Sequence, residues 1–231
     1  MTSPENAARS TDPYDMARAA VANPGRLAAL HATGLLDSDV EEVFDRMSRL
    51  AVRLLGVPAA FISLVDEQRD FYKSSSGFGE PLASSREMKG PTFCHFTIQS
   101  AHPLVIPDTA SDPAYRDVPT VKSLGVAAYV GVPIVIASEA IGSFCAIDVK
   151  PHAWDERDVE VLTELAASAQ REIELRGALR RAEELAAQIT EQAIDLSIRA
   201  AEAEALASEL HRLRIGGARA QPDTERGARA D

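Results

Sequence analysis

The residues able to do chemistry are few and scattered. Two cysteines, Cys94 and Cys145, are the only thiols in the chain of 231 residues. Cys94 stands at the expected start of a short helix with His95 beside it, a setting that lowers a thiol pKa and favours a nucleophile. Cys145 lies within a strand-like run, Gly142-Ser143-Phe144-Cys145-Ala146-Ile147, where a small thiol is also a good core residue. Far apart in the sequence and only two in number, the pair reads as free thiols rather than a disulfide framework. His31, His95, His102, His152 and His211 show no metal-ligand spacing with one another or with the cysteines. Gly131 and Gly142 are not followed by a helix start or a Lys-Ser/Thr pair, so neither marks a phosphate loop. Ser84, Ser85, Arg86, Glu87, Asp108 and Asp112 offer polar groups, as a solvated loop also would. Arg116 could neutralise an anion or pair with Asp112 or Asp117.

The elements that must position these groups follow from periodicity. Asn23-Pro24-Gly25 opens a short helix over 26–32 that Gly34 closes. Asp37, Ser38 and Asp39 supply N-cap chemistry for a second helix, whose apolar stripe is Val43, Met47, Leu50, Leu54 and Leu55. Strands are expected over 59–65 and 70–75 as a hairpin, 103–107, 127–136 and 141–149. Residues 79–90 form a surface segment, 92–99 a short helix and 108–119 a turn-rich crossover. The pattern is α+β with an antiparallel sheet. Residues 1–22 read as a flexible arm and 215–231, after Gly216-Gly217 ends the helix, as a disordered tail.

From Asp155 to Leu213 there is no proline, and a helix of that length spans roughly 90 Å. Val159, Leu162, Leu165, Ala166, Ala169 and Ile173 suit packing on the sheet. Beyond them Leu175, Ala182, Ile189, Leu196, Ala203 and Leu210 recur every seven residues, with Leu179, Ala186, Ala193, Ala200 and Ala207 at the other seam position. This is a coiled-coil pattern with a narrow, Ala-rich seam, and it predicts a homodimer through 155–213.

Composition is globular, with 45% hydrophobic and 26% charged residues. Lys+Arg 24 against Asp+Glu 35 gives a net charge of −11, which repels nucleic acid and anionic membranes. No run approaches the roughly 18 apolar residues of a membrane-spanning helix, and the N-terminus lacks a secretory signal pattern. The expectation is a cytoplasmic protein that binds neither nucleic acid nor membrane.

Several segments, in order, carry a family likeness: TGLLDSDVEEVFDRMSRLAVRLLGVP, FISLVDEQRDFYKSSSG, TFCHFTI, PLVIPDTASDPAYRDVP, GVAAYVGVPI and IGSFCAIDVKPHAWDERDVEVLTELA. Together they resemble the GAF domain family of sensory modules. The resemblance implies a sensor domain over 23–176 and a coiled-coil helix over 177–214, continuous from about 155. It implies a six-stranded antiparallel sheet flanked by helices, with helices from both ends of the domain on one face. A small-molecule pocket is implied on the other face, under the crossovers. That topology would gather Phe93, Cys94, Asp108, Arg116 and Tyr129 as the ligand-binding residues.

The subtypes of the family differ at residues. A covalent bilin needs a Cys-His pair just before the segment corresponding to GVAAYVGVPI, but Cys94-His95 precedes PLVIPD and no cysteine lies between Asp108 and Ala128. Cyclic-nucleotide binders carry an Asn-Lys pair and a later Phe-x-x-x-Asp-Glu. Phe144 and Asp148 fit, Val149 replaces the Glu, and no Asn-Lys pair occurs. No cofactor is therefore assigned. The leading expectation is a non-catalytic, intracellular signal-sensing module that binds a small ligand or a signalling partner and transmits the change through a dimeric coil. The alternatives are a free methionine sulfoxide reductase with Cys94 as attacker, and an input module for a kinase, cyclase or phosphatase supplied in trans. His211, within Ser208-Glu209-Leu210-His211-Arg212, lacks the surroundings of a phospho-acceptor.

Overall fold

The computed structural model describes residues 12–100 and 102–218. The chain divides after Gly177 into two units. The first contains a six-stranded antiparallel sheet in the order β3-β2-β1-β6-β5-β4. Its strands are β1 (Ala59–Val65), β2 (Arg69–Ser76), β3 (Glu87–Lys89), β4 (Leu104–Ile106), β5 (Ala128–Ile136) and β6 (Glu139–Asp148). The helices are α1 (Pro13–Val21), α2 (Pro24–Thr33), α3 (Glu42–Leu55), α4 (Leu82–Ser85), α5 (Phe93–Gln99), α6 (Pro119–Ser123) and α7 (Glu156–Ala218).

Local chemistry accounts for most boundaries. The Asn23 side chain accepts the Arg26 N–H to begin α2, and Gly34 and Gly56 end α2 and α3 in the left-handed conformation that glycine adopts without a Cβ penalty. The start of α3 differs from expectation. Its N-cap is Glu41, with no side-chain cap. Asp37 and Ser38 are drawn instead to cations on β2: Asp37 pairs with Arg69, and the Ser38 hydroxyl accepts from Lys73. Lys73 also donates to the Asp39 carbonyl and pairs with Glu41 at 2.5 Å. Burial, the largest cause, and Arg86 push the Lys73 ammonium down to about 8. A buried cation is held where it can be paired, and the 37–41 loop supplies the partners.

Alternation along the strands makes two cores. On one face Ile62, Leu64, Val130, Val132, Phe144 and Ala146 pack with Leu30 of α2, Phe44 and Ala51 of α3, and Leu162, Ala166, Ala169 and Ile173 of α7. On the other, Phe61, Tyr72, Tyr129, Cys145 and Ile147 are covered by α5, the crossover and α1.

Three further differences from the sequence-based expectations have physical causes. Residues 13–21 of the expected flexible arm form α1, capped by Asp12 and buried through Ala17 and Val21. Its C-terminal carbonyls are satisfied by the buried Arg26, which donates to Ala20, Val21 and, across the fold, Val65. Within the 79–90 surface segment lie α4 and the polar edge strand β3, which completes the sheet. Finally, α7 runs through Gly216-Gly217 to Ala218, since glycine weakens a helix by about 1 kcal/mol without breaking its backbone bonds. Residues 1–11 of the arm and 219–231 of the tail lie outside the described residues.

In the second unit, which begins at Ala178, Leu179 is 59% exposed, Ile189 58%, Leu196 66% and Leu210 59%.

Leu162, wholly buried between α7 and the sheet, tests the packing of the first unit. Leu162→Ala is expected to lower stability by about 2–5 kcal/mol in urea unfolding. A loss below about 1 kcal/mol would mean that these turns are not part of the core.

Candidate functional site

The crossover face is organised by α5. Thr92 caps it, accepting the Cys94 N–H and donating its own proton to the buried Asp70 carboxylate. Helical spacing then turns Phe93, Cys94 and Thr97 onto the sheet. Phe93 stacks on Tyr129 at 4.9 Å between ring centres. The Tyr129 hydroxyl lies 2.6 Å from the Thr97 hydroxyl and 3.0 Å from the Cys145 sulfur. Ser143 Oγ is also 3.0 Å from that sulfur, and the two Sγ atoms are 3.8 Å apart.

Gly131, opposite Cys145 in the β5–β6 register, makes room for this arrangement. A Cβ there would sit 2.2 Å from the Tyr129 hydroxyl oxygen and 2.8 Å from Thr97 Oγ1. The Tyr129 side chain thus lies along its own strand over a glycine, and its polar end reaches partners inside an apolar layer.

Of the five ligand-binding residues expected from the sequence, the fold gathers three. Phe93, Cys94 and Tyr129 are buried and touch or adjoin one another. Asp108 and Arg116 stay in the crossover. Asp108 accepts from the Ala110 N–H and the Ser111 hydroxyl, and the Ser111 bond holds its carboxyl below the usual range. Arg116 is exposed, 3.7 Å from Asp117. Two of the three carboxylates of this crossover, Asp108 and Asp112, accept the N–H two residues on, the local turn chemistry of aspartate. Cys145, Ser143 and Thr97 join the cluster without having been expected as site residues. Period-two spacing puts Ser143 on Cys145's face and helical spacing puts Thr97 one turn from Phe93, but only the strand register brings these elements together.

The three residues fill the space they were expected to line. The cavity among Phe61, Tyr72, Phe78, Cys94, Tyr129 and Ile147 measures about 20 Å³. That is room for one water. Burial pushes both the Cys94 thiol and the Tyr129 phenol well up, so both are protonated at neutral pH. A protonated thiol is a poor nucleophile, and the two sulfurs, 3.8 Å apart, are free thiols in contact and not bonded at the roughly 2.05 Å of a disulfide. Among the described residues no group of three or more His, Cys, Asp or Glu side chains could hold a metal ion, and no helix is long and apolar enough to cross a membrane.

The sequence profile of the GAF domain matches residues 39–173, more than half of the chain. The chain belongs to the GAF domain family. It is similar to a cyclic di-GMP phosphodiesterase of Pseudomonas aeruginosa, with 31% identity over 144 residues. That match takes in 61% of this chain and 24% of the relative, so the chain spans about a quarter of that protein's length. Among solved structures, residues 122 to 287 of a methyl-accepting chemotaxis protein align with a TM-score of 0.52 at 19% identity, over 64% of this chain and 97% of that one. A free methionine-R-sulfoxide reductase from Neisseria meningitidis, solved with its substrate, aligns at 0.49 and 18%, over 66% and 89%. At these identities the chemotaxis-protein likeness is one of fold alone. The GAF fold is therefore shared, and the contents of its interior have to be read from this chain's own residues.

Those contents predict slow thiol chemistry. In the native protein Cys94 and Cys145 should react with an aromatic disulfide reagent at pH 7 at least about tenfold more slowly than in denaturant, because reaction requires the crossover to open. Fast modification of either cysteine in the folded protein would show that α5 does not close over the sheet as described.

Proposed function

We propose that this GAF domain is a non-catalytic, cytoplasmic sensing module that passes a change in packing to a dimeric coiled coil. One observation carries the reading. The apolar residues of α7 are buried against the sheet at Leu162, Ala166, Ala169 and Ile173, and the same helix then presents exposed seam residues at Leu179, Ile189, Leu196 and Leu210. A row of exposed leucines and isoleucines at heptad spacing is costly in water and is relieved by a second copy.

The interior supports the same reading. A cavity of about 20 Å³ cannot hold a ligand unless Phe93 or Tyr129 moves, so occupancy and a shift of α5 go together. The signal could equally be a partner protein docking on the crossover. The relative, a cyclic di-GMP phosphodiesterase, fits a module of this kind serving an output enzyme, and here a kinase, cyclase or phosphatase could be supplied in trans.

A second reading rests on the 3.8 Å separation of the sulfurs, which suits an attacking and a resolving thiol in reduction of free methionine sulfoxide. The size of the cavity and the protonated state of Cys94 weigh against it.

Two measurements decide. Light scattering on the full chain at tens of micromolar should give about 50 kDa, twice the 24.8 kDa of one chain. Leu196→Glu should return the mass to that of one chain while the thermal unfolding of the sheet domain stays in place. A wild-type monomer would overturn the coil. Free methionine sulfoxide with a dithiol reductant should show no turnover. Turnover abolished by Cys94→Ser would put the reductase reading in place of the sensor.

A further inference from the structure

A second cavity, of about 190 Å³, lies outside the sheet-facing interior, between α1, the β1–β2 turn and the start of α5. It shares no lining residue with the small cavity beneath Phe93 and Tyr129. Ala17 and Val21 of α1 form one wall, and Pro91 and Phe96 the other. Tyr14, edge-on to Phe96 at 5.1 Å, closes one end. Into this largely apolar space comes the imidazole of His95, while Gln68 and charged Glu67 and Arg18 also line it. Arg18 is exposed and engaged with Asp15.

The hydrogen bonds of His95 fix what it can offer. Its Nε2 is 3.0 Å from Oδ1 of Asp70, which is wholly buried. The other Asp70 oxygen receives the Thr92 hydroxyl proton, so both carboxylate oxygens act as acceptors. A carboxylate has no proton to give, and Nε2 must therefore carry the imidazole hydrogen. In the neutral ring Nδ1 is then a lone-pair acceptor, and it makes no hydrogen bond among the described residues. Fastening α5 to β2 explains Asp70 and Thr92. It leaves the cavity and the unused acceptor without a role.

We propose that this cavity binds a small aromatic hydroxyl compound of the phenol class, its ring between α1 and Phe96 and its hydroxyl donating to His95 Nδ1. The volume is below the roughly 300–1,000 Å³ of sites for drug-sized ligands, so it admits a single ring and excludes a nucleotide. Apolar walls favour the ring, and the Nδ1 acceptor of His95 selects a ligand that brings a donor. The site does not depend on the coiled coil, and α1 and α5, which form its walls, are both part of the crossover-side core.

The experiment is a titration of the full-length, isotope-labelled protein with phenol and, in parallel, toluene, followed in amide correlation spectra. Phenol should give saturable shifts at Ala17, Gln68 and Phe96, with toluene weaker by roughly fivefold or more. Ala17→Leu fills the cavity and keeps His95. It should abolish the phenol shifts while the thermal unfolding midpoint stays near that of the wild type. His95→Phe should bring phenol binding down to the toluene level. Absence of saturable shifts with phenol, equal affinity for toluene, shifts centred on Tyr129 instead, or unchanged binding in a folded Ala17→Leu protein would each overturn the proposal.

Discussion

Strand β6 is flanked by β1 and β5, and from Ile141 to Asp148 every residue on it is buried. Adjacent residues of a strand point to opposite faces, so Phe144 and Cys145 both need a dry environment on opposite sides of one sheet. That requirement shapes the rest of the first unit. One face is met by regular helices with leucine, isoleucine and phenylalanine stripes. The other is met by a seven-residue helix and a turn-rich connection, with α1 laid over them. A short cover brings backbone and side-chain polar groups close to the core, and buried polar groups have to be paired. The bonds of Tyr129 with Thr97, of Ser143 with Cys145, and of Asp70 with Thr92 and His95 are what make an irregular cover tolerable.

The elements legible from sequence were those whose own pattern is strong. Strand β1 was expected over 59–65 and is found there, because an apolar run broken only by Ser63 and followed by Asp66-Glu67-Gln68 has few other solutions. The helical character of α3 and α7 is read in the same way, but of the stripe expected on α3 only Met47 and Leu55 are buried: Leu50 and Leu54 are exposed, and Phe44, Ser48 and Ala51 take their place on the buried face. Helix α1 was missed because its buried footprint is only Ala17 and Val21, too sparse to show a period, and its position comes from docking on α5. Strand β3 was missed because Glu87-Met88-Lys89 is short and polar, as edge strands are. Asp37 and Ser38 were read as caps, although tertiary pairing with Arg69 and Lys73 outweighed the local use of those side chains.

The candidate site divides in the same way. Phe93, Cys94 and Tyr129 sit on periodic elements, so their common face follows once α5 and β5 are placed. Asp108 and Arg116 were expected at a pocket rim, yet they belong to a segment in which Asp108 and Asp112 are consumed by their own turns and Asp117 lies against Arg116. Residue type alone does not separate an aspartate that recognises a ligand from one that makes a turn. Cys145 shows the converse. Its place beside Tyr129 and Cys94 depends on the β5–β6 register, a long-range property that no local pattern encodes.

The two covers are built differently. The helical side buries Leu30, Phe44, Leu55, Leu162 and Ile173, and the crossover side buries an apolar cluster of its own, with Phe93, Phe96 and Ile98 of α5 among Phe61, Tyr129 and Ile147 of the sheet, to which the Phe93–Tyr129 stack and a few hydrogen bonds are added. Such a stack contributes roughly 0.5–1.5 kcal/mol beyond its buried area. Cys145, in the crossover-side cluster, and Phe144, in the cluster that holds Leu162 and Ala166 of α7, are adjacent on one strand. Contiguity of this kind is not itself coupling, which requires an element with two arrangements of similar energy. In a dimer formed through the heptads, Ala186, Ala193, Ala200 and Ala207 would bury little area at one seam position, so neighbouring packings would differ little in stability. On the proposed reading, the strand shared by the two cores of the first unit and a shallow seam in the coil are the two features that a transmitting module would use.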